Sequence, residues 1–160
     1  NIALAQTARI VVDNGISTDA FGRTSLPHIW AAGDCASFPF DGKRIRLESV
    51  PNAIDQAETV AANILGANTE YVAKPWFWSD QFDVKLQIAG LNTGYDSIIV
   101  RGGARDGSVS HWYYAGARLL AVDAMNAPRE FMIARRLIVA GKSPNAKAVA
   151  DPETDLKSLM

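Results

Sequence analysis

Apolar residues recur at every third or fourth position after residue 50, and this spacing predicts a helix with one packed face. Ser49 or Val50 suits the N-cap, because Pro51 then lies in the first turn, where its missing N–H is not needed. Gly66 suits the end of the helix, since glycine adopts the left-handed conformation readily. We therefore predict a helix from Pro51 to Leu65 with an apolar stripe formed by Ala53, Ile54, Ala57, Val60, Ala61, Ile64 and Leu65.

Two shorter apolar runs before this helix predict β-strands, at Arg9–Asp13 and Ile29–Ala32. The residues before the first strand have no clear pattern and are expected to form a loop. Asn14 and Gly15 supply a turn after it, and a polar segment crosses over to the second strand. Two short strands do not make a sheet domain, and the first residue is not methionine, so we expect a chain truncated at its N-terminus.

The second half of the chain has the pattern of an antiparallel sheet. Residues 67–75 lack periodicity and are predicted to be a linker, and three aromatic side chains follow close together at Trp76, Phe77 and Trp78. Glycine-containing turns separate the runs that come next. We predict a hairpin meander of strands at Val84–Leu91, Ser97–Arg101, Val109–Ala115 and Leu119–Asn126.

A second helix is expected after these strands. Asn126 is its predicted N-cap, Pro128 lies in its first turn and Gly141 ends it. The apolar face of this helix would consist of Phe131, Ala134, Leu137 and Ile138. The remaining residues, 142–160, are expected to form an irregular tail with a weak final turn.

Composition and charge exclude several classes of protein. The 160 residues are 48% hydrophobic and 21% charged, as in a soluble globular chain, and no apolar run is long enough to span a membrane. No signal peptide is visible, so the expected location is the cytoplasm. A net charge of -1 gives no support to nucleic-acid binding. With one cysteine, Cys35, and two histidines, His28 and His111, neither a disulfide nor a metal site is predicted, and Cys35 is expected to be a buried small residue.

A candidate ligand site follows the second predicted strand, at Gly33 and Asp34. Open α/β sheets bind ligands at the carboxyl ends of their strands. Gly33 allows a close approach, and Asp34 can accept hydrogen bonds from sugar-like hydroxyls. The start of the helix Pro51–Leu65 offers N–H groups and partial positive charge to an anion or a polarised carbonyl. An ordinary Gly-Asp turn and a capped packing helix are the alternative interpretations.

Several stretches of this chain occur in the order in which the FAD-containing ferredoxin reductases carry them, and they cover nearly the whole length. They are residues 24–34, 48–56, 75–81, 94–96 and 120–126. The chain thus resembles this family, whose members pass electrons from NADH through FAD to a [2Fe-2S] ferredoxin that serves a cytochrome P450 or a ring-hydroxylating dioxygenase. The resemblance implies an α/β plus α+β fold. Residues 1–66 would be the C-terminal part of a Rossmann-like FAD-binding domain, and residues 76–160 a C-terminal domain with an antiparallel sheet and helix.

The resemblance also implies cofactor-binding residues. Asp34 would bond the ribityl chain of the flavin, and the backbone N–H of Val50 would lie near the flavin O2 atom. Positive potential there stabilises negative charge on the reduced flavin and sets its redox poise. Trp78, with Trp76 as a second candidate, would lie beside the isoalloxazine near the surface where ferredoxin docks; a hydrophobic plug between domains is the alternative. No catalytic side chain is implied.

One feature of the family is absent from this sequence. No Gly-x-Gly-x-x-Gly occurs, although the family uses this motif for the FAD pyrophosphate and for NADH. We therefore expect the chain to be incomplete and inactive alone and to bind FAD weakly or not at all. A related NADH oxidase-type flavoenzyme is one alternative, and a non-catalytic docking or dimerisation module is another. Arg135 and Arg136 could steer an acidic ferredoxin, although a solvated charged face is the favoured explanation.

Overall fold

The structure is a computed structural model that describes residues 1–103 and 105–160. The chain divides into two compact units, Asn1–Lys74 and Pro75–Met160, and each is described by itself. Residues 67–75 carry no helix or strand. Within the described ranges, no helix has both the length and the apolar character needed to cross a membrane.

The first unit combines a small mixed sheet with one long helix. Its short first helix, α1, spans Ala3–Thr7. Strand β1 (Ile16–Ser17) runs parallel to β2 (Ala36–Phe40), which pairs antiparallel with β3 (Lys43–Ile45). Helix α2 spans Val50–Ile64. These elements confirm the α/β part of the expected fold.

The predicted strand at Arg9–Asp13 is wrong, and so is the loop expected before it. Helix α1 occupies that loop, and Arg9, at φ 60°, turns the chain away from the helix. Val12 forms a single bridge with Ile16, because Asp13 N donates to Gly15 O at 2.9 Å and closes a tight turn at once. The turn expected at Gly15 is therefore present, but the chain reverses before a strand can form.

The predicted strand at Ile29–Ala32 is also wrong. Trp30 pairs only through a single bridge with Arg23, and Ala31 N donates to Gly22 O at 3.1 Å. This apolar run folds back on a turn instead of joining a neighbouring strand. Consequently the candidate residues that follow it lie on a short 3₁₀ turn, Gly33–Cys35, that leads directly into β2.

Helix α2 begins and ends within one residue of the predicted bounds. Ser49 is the N-cap, and its hydroxyl oxygen accepts a hydrogen bond from Asn52 N at 3.3 Å. Gly66 follows the helix with a φ of 95°. Most of the predicted apolar stripe, however, is not buried: Val60 is 7% exposed, but Ile54 is 53% exposed and Leu65 is 89% exposed. The buried residues of α2 are Pro51, Asn52, Gln56, Val60 and Asn63.

Carboxamide side chains explain this reversal of the helix faces. Asn63 Nδ2 donates to the carbonyl oxygens of Phe21 and Thr69 at 2.9 and 2.8 Å, and Asn63 Oδ1 accepts from Thr69 N at 2.7 Å. Asn52 Oδ1 similarly accepts from the Tyr71 hydroxyl at 2.9 Å. Buried loop backbone needs such partners. The buried face of α2 therefore contains polar side chains that hold loops in place.

The second unit is built on a five-stranded antiparallel sheet, which confirms the antiparallel part of the expected fold. The strands follow each other across the sheet in the order β4-β5-β8-β7-β6. Their bounds are β4 Trp76–Gln81, β5 Val84–Gly90, β6 Ser97–Gly102, β7 Val109–Ala115 and β8 Arg118–Met125.

The sheet differs from the predicted meander in two respects. The aromatic segment that begins at Trp76 is itself a strand, β4, and forms a hairpin with β5. β5 then pairs with β8 instead of β6, with Ile88 opposite Asp123. Only β6, β7 and β8 follow one another as a meander. Hydrophobic alternation identifies strands but carries no information about which strands are neighbours.

Helix α3 (Pro128–Val139) covers one face of this sheet, and its predicted apolar face is correct at Phe131, Ala134 and Leu137, which are buried. The predicted cap is wrong, since the N-cap is Ala127 and makes no side-chain hydrogen bond. The side chain of Asn126 instead accepts from Lys85 N at 2.8 Å and donates to Asp83 O at 3.2 Å. It thereby ties the β4–β5 turn to the end of β8.

The last nineteen residues are packed, contrary to the expected irregular tail. Helix α4 spans Ala146–Ala150, and a 3₁₀ turn spans Leu156–Leu159. Val149 and Leu156 are buried in the main core cluster, together with Trp112, Tyr114, Leu119, Val122, Ile133, Ala134 and Leu137. The tail is therefore part of the folded unit.

The buried tyrosine of this core predicts a loss of stability in alkali. Burial raises the pKa of Tyr114 to about 12. The folded state therefore keeps the phenolic proton where the unfolded state, with a pKa near 10, releases it. The contribution of Tyr114 to stability is fully present below pH 10 and decreases by about 3 kcal/mol as the pH rises from 10 to 12. Urea unfolding across this range should show the fall.

Phenylalanine at position 114 is the matched comparison for this measurement. Tyr114→Phe removes the ionisable group, together with the hydroxyl bond to Pro144 O at 3.1 Å, while keeping the ring. Its stability should fall less steeply than that of the unaltered chain between pH 10 and 12. Identical slopes for the two proteins would show that Tyr114 does not carry the effect.

Candidate functional site

The 3₁₀ turn Gly33–Cys35 is fixed against helix α2. Gly33 N donates to Gln56 Oε1 at 2.8 Å, and both groups are buried. Gly33 has a φ of 76°, and a Cβ atom placed on it would lie 3.4 Å from the Cβ of Ala53. The glycine is therefore needed for its left-handed backbone conformation, whereas a Cβ at this position would make an ordinary contact with the helix.

Asp34 is exposed on this turn, beside a hollow of about 370 Å³. Its backbone oxygen accepts from Arg46 Nη1 at 3.2 Å, and Arg46 also pairs with Glu48. The Asp34 carboxylate thus lies where it can accept hydrogen bonds from a ligand's hydroxyl groups. The hollow is lined by Asn1, Ile2, Val12, Asn14, Gly15, Asp34, Cys35 and Arg46.

Val50 lies at the exposed start of α2 and is 58% exposed. The hydroxyl of Ser49 already accepts from Asn52 N, and Pro51 has no N–H. The N–H of Val50 is therefore the donor left for a ligand at the first position of the helix. The positive end of the helix dipole strengthens this donor.

Asp34 and Val50 belong to the same unit and are linked through Gln56. This residue is six positions into α2, or about 9 Å along the helix axis from Val50, and its side chain holds the amide before Asp34. The arrangement offers one carboxylate acceptor and one amide donor around a single helix–turn contact. It fits a ligand that carries hydroxyls and a polarised carbonyl.

Sequence reasoning missed the supporting roles of Gln56 and Arg46. Gln56 is 1% exposed. Because glutamine is polar, a sequence pattern predicts that it is exposed. The only available signal was its position in a helix that starts close to the Gly-Asp dipeptide. Arg46 carries no sequence signal, because its contact with Asp34 O depends on how the loop folds.

Trp78, the third predicted site residue, lies in the second unit on β4. Trp76 and Trp78 share one face of this strand, and their rings stack with centroids 5.4 Å apart. Trp76 also packs against Phe131 at 6.2 Å. Trp78 is half-buried, and Phe77, on the opposite face, is 40% exposed. The flavin and partner contacts expected of Trp78 stay predictions.

Within the part of the chain that the structure describes, the cysteine and the second histidine lie apart from this site or make only local contacts. Cys35 is half-buried, and its thiol donates to Ala32 O at 3.5 Å. His111 lies on β7 opposite Asp123. Over residues 1–103 and 105–160, no three His, Cys, Asp or Glu side chains are grouped so as to hold a metal ion.

Two protein families match this chain. Residues 76–160 match the family described as Reductase C-terminal, and residues 1–57 match the family described as Pyridine nucleotide-disulphide oxidoreductase. The two matches fall on the second and the first unit respectively.

Characterised relatives are similar over nearly all of the chain. Rhodocoxin reductase of Rhodococcus erythropolis is 45% identical over 98% of this chain and 37% of its own length. Putidaredoxin reductase of Pseudomonas putida is 41% identical over 100% of this chain and 38% of its own length. The ferredoxin–NAD(+) reductase component of the anthranilate 1,2-dioxygenase system of Burkholderia cepacia is 40% identical. The chain therefore spans about two fifths of the length of these relatives.

Solved structures agree with the sequence matches. The ferredoxin reductase for the CYP199A2 system of Rhodopseudomonas palustris superimposes with a TM-score of 0.93 at 39% identity, over 99% of this chain and 40% of that one. The covalent putidaredoxin reductase–putidaredoxin complex gives 0.91 at 41% identity, over 99% of this chain and 39% of that one. The chain belongs to the Reductase C-terminal family and corresponds to the C-terminal portion of an FAD-dependent ferredoxin–NAD(P)+ reductase.

Proposed function

We propose that this chain is the part of an NADH:ferredoxin oxidoreductase that completes its FAD site and carries its C-terminal domain. The whole enzyme would pass electrons from NADH through FAD to a [2Fe-2S] ferredoxin that serves a P450 or a dioxygenase. The observation that carries the proposal is the contact of Gly33 N with Gln56 Oε1, which joins the Asp34 turn to the start of α2. The proposal is supported because the Asp34 carboxylate is an acceptor and the Val50 N–H is a donor, as the family resemblance implies for these two positions.

Asp34 is proposed to bind the ribityl hydroxyls of the flavin. Its carboxylate is exposed beside a hollow, and a carboxylate accepts two or more hydroxyl hydrogen bonds at once. Gln56 fixes the turn that carries it, so the carboxylate would be held in place before the flavin binds. A preorganised acceptor of this kind costs less entropy on binding than a mobile one.

The N–H of Val50 is proposed to donate to the flavin O2 atom. Bound FAD would accept a hydride from NADH and pass single electrons to the ferredoxin. The contribution of this chain is electrostatic, because the partial positive charge at the start of α2 favours negative charge that gathers on the pyrimidine side of the flavin. No side chain of the chain is proposed to form a covalent bond.

Trp78 is proposed to contact the flavin or the docked ferredoxin. Support comes from its half-buried position on an edge strand, where its ring stacks on that of Trp76. Trp78→Phe keeps an aromatic ring at this position, whereas Trp78→Ala removes it. We expect the alanine variant to transfer electrons to ferredoxin more slowly than the phenylalanine variant.

The function is tested by the NADH-dependent reduction of a [2Fe-2S] ferredoxin, followed by the visible absorbance of its cluster. The protein assayed is a complete reductase that carries this chain as its C-terminal part. Reduction that requires both NADH and FAD supports the proposal. NADH oxidation by oxygen with no reduction of ferredoxin would favour an NADH oxidase-type enzyme, and no NADH oxidation at all would favour a docking or dimerisation module.

A further inference from the structure

Arg135 lies over an aromatic stack at the edge of the sheet. Its Cζ atom is 4.6 Å from the centroid of the Trp76 ring. The next ring along is Trp78, whose centroid is 5.4 Å from that of Trp76, with 28° between the two planes. β4, which carries both indoles, is an edge strand. The guanidinium of Arg135 and the ring of Trp78 therefore both lie against the Trp76 ring.

Helix α3 holds Trp76 with two of its side chains. Phe131 and Arg135 are four residues apart, so they lie on the same face of the helix one turn from each other. Phe131 is 2% exposed and contacts Trp76 at 6.2 Å with a 45° tilt. Small residues below, Ala89 and Ala124, belong to the same core cluster and leave room for the indole. Trp76 is thus confined by the sheet, by Phe131 and by Arg135.

Trp78 has less support of its own. Among the described residues, Trp76 provides the only aromatic ring that stacks on it. Trp78 lies two residues further along β4, where it is paired with Gln87 on the neighbouring strand. The plane of the Trp78 ring therefore depends on where Trp76 is held.

We infer that Arg135 is a positioning residue that fixes the Trp76 ring and, through it, the orientation of Trp78. A guanidinium is planar and weakly hydrated, and it stacks on an indole face more favourably than an ammonium does. Arg135 forms no ion pair within the described part of the chain, so its charge is directed to the ring. The use made of Trp78 rests on the proposed function, whereas the stack itself does not.

Arg136 supplies a matched control. It follows Arg135 on α3, carries the same charge and is exposed. It makes no aromatic contact within the described residues. Replacing either arginine changes the net charge of the surface equally, so a difference between the two variants reports on the stack and not on electrostatic steering.

The inference is tested by far-ultraviolet circular dichroism of the full chain, because the strong short-wavelength transitions of two stacked indoles couple and give a pair of bands of opposite sign. Trp76→Phe identifies the part of the spectrum that comes from the stack. Arg135→Ala is expected to lose most of that signal, Arg136→Ala to keep it, and Arg135→Lys to restore part of it. If Arg135→Ala does not fold, Arg135→Met takes its place, because methionine keeps the aliphatic stem. This variant is also expected to lose most of the coupled signal.

An unchanged coupled signal in folded Arg135→Ala or Arg135→Met, when Trp76→Phe abolishes it, would overturn the inference. A second measurement separates this result from the fate of the proposed function. In a complete reductase, loss of the stack in Arg135→Ala should slow ferredoxin reduction relative to Arg136→Ala. Equal rates, with the coupled signal lost, would leave Arg135 as the residue that holds the stack and would count against the proposed role of Trp78.

Discussion

Replacing Arg101 with methionine is expected to lower the free energy of unfolding of the second unit by about 3–5 kcal/mol. Arg101 lies on β6, is 9% exposed and donates four hydrogen bonds of 2.6 to 3.1 Å. Methionine keeps the volume of the stem but provides no donor. The carbonyl oxygens left without their partner belong to Val149, Asp151, Pro152 and Thr154.

Urea denaturation checks this result, and Arg136→Met is its control because Arg136 is exposed. The control should change stability by no more than about 0.5 kcal/mol. Hydrogen exchange should also accelerate at the amides of Val149 and Leu156, since the arginine holds the tail that brings these two side chains into the core. Equal stability of Arg101→Met and the unaltered chain would mean that the tail folds without the hydrogen bonds of Arg101.

Replacing Asp34 with alanine is expected to weaken FAD binding by about a thousandfold in a complete reductase that carries this chain. Two hydrogen bonds from ribityl hydroxyls to a carboxylate contribute about 4 kcal/mol together, which corresponds to that factor. Fluorescence titration of the apoprotein with FAD measures the dissociation constant. Asp34→Asn, which retains one carbonyl acceptor, should bind with intermediate affinity.

Glu70→Ala is the matched control, because Glu70 is another exposed carboxylate of the first unit. It should leave the affinity for FAD unchanged. Circular dichroism should show that Asp34→Ala is folded, since its side chain is exposed and the turn is held through Gly33 and Gln56. Unaltered affinity in Asp34→Ala would remove this residue from the proposed site.

Local chemistry made the helices predictable. Ser49, Pro51 and Gly66 mark the ends of α2 because capping and left-handed backbone conformation are decided by a few neighbouring residues. Gly141, at φ 65°, ends α3 in the same manner. The families of both units and their α/β and antiparallel character likewise agree with what the sequence indicates.

Contacts between distant residues were not predictable. The pairing of β5 with β8 and the clasp of the tail by Arg101 join segments far apart in the chain, so no local pattern encodes them. The buried face of α2 was misassigned for a related reason. Asn63 is buried because loop carbonyls at Phe21 and Thr69 need its donors, and a count of apolar positions cannot register that need.

The candidate site was predictable only in part. Asp34 and Val50 lie on connected elements of one unit, but the strand expected to present Asp34 is a 3₁₀ turn. Gln56 links them, but no sequence motif marks it as a supporting residue. A supporting residue of this kind becomes visible only when the helix and the turn are seen in contact.

Flavin content is the most direct test of the central claim that this chain completes, but does not by itself constitute, an FAD site. The chain is purified, incubated with FAD and freed of unbound ligand, and its visible absorbance is recorded together with its intact mass. We expect no retained flavin for the chain alone and stoichiometric flavin once the preceding dinucleotide-binding part is supplied. Stoichiometric flavin retained by the chain alone, or none after the preceding part is added, would contradict the account.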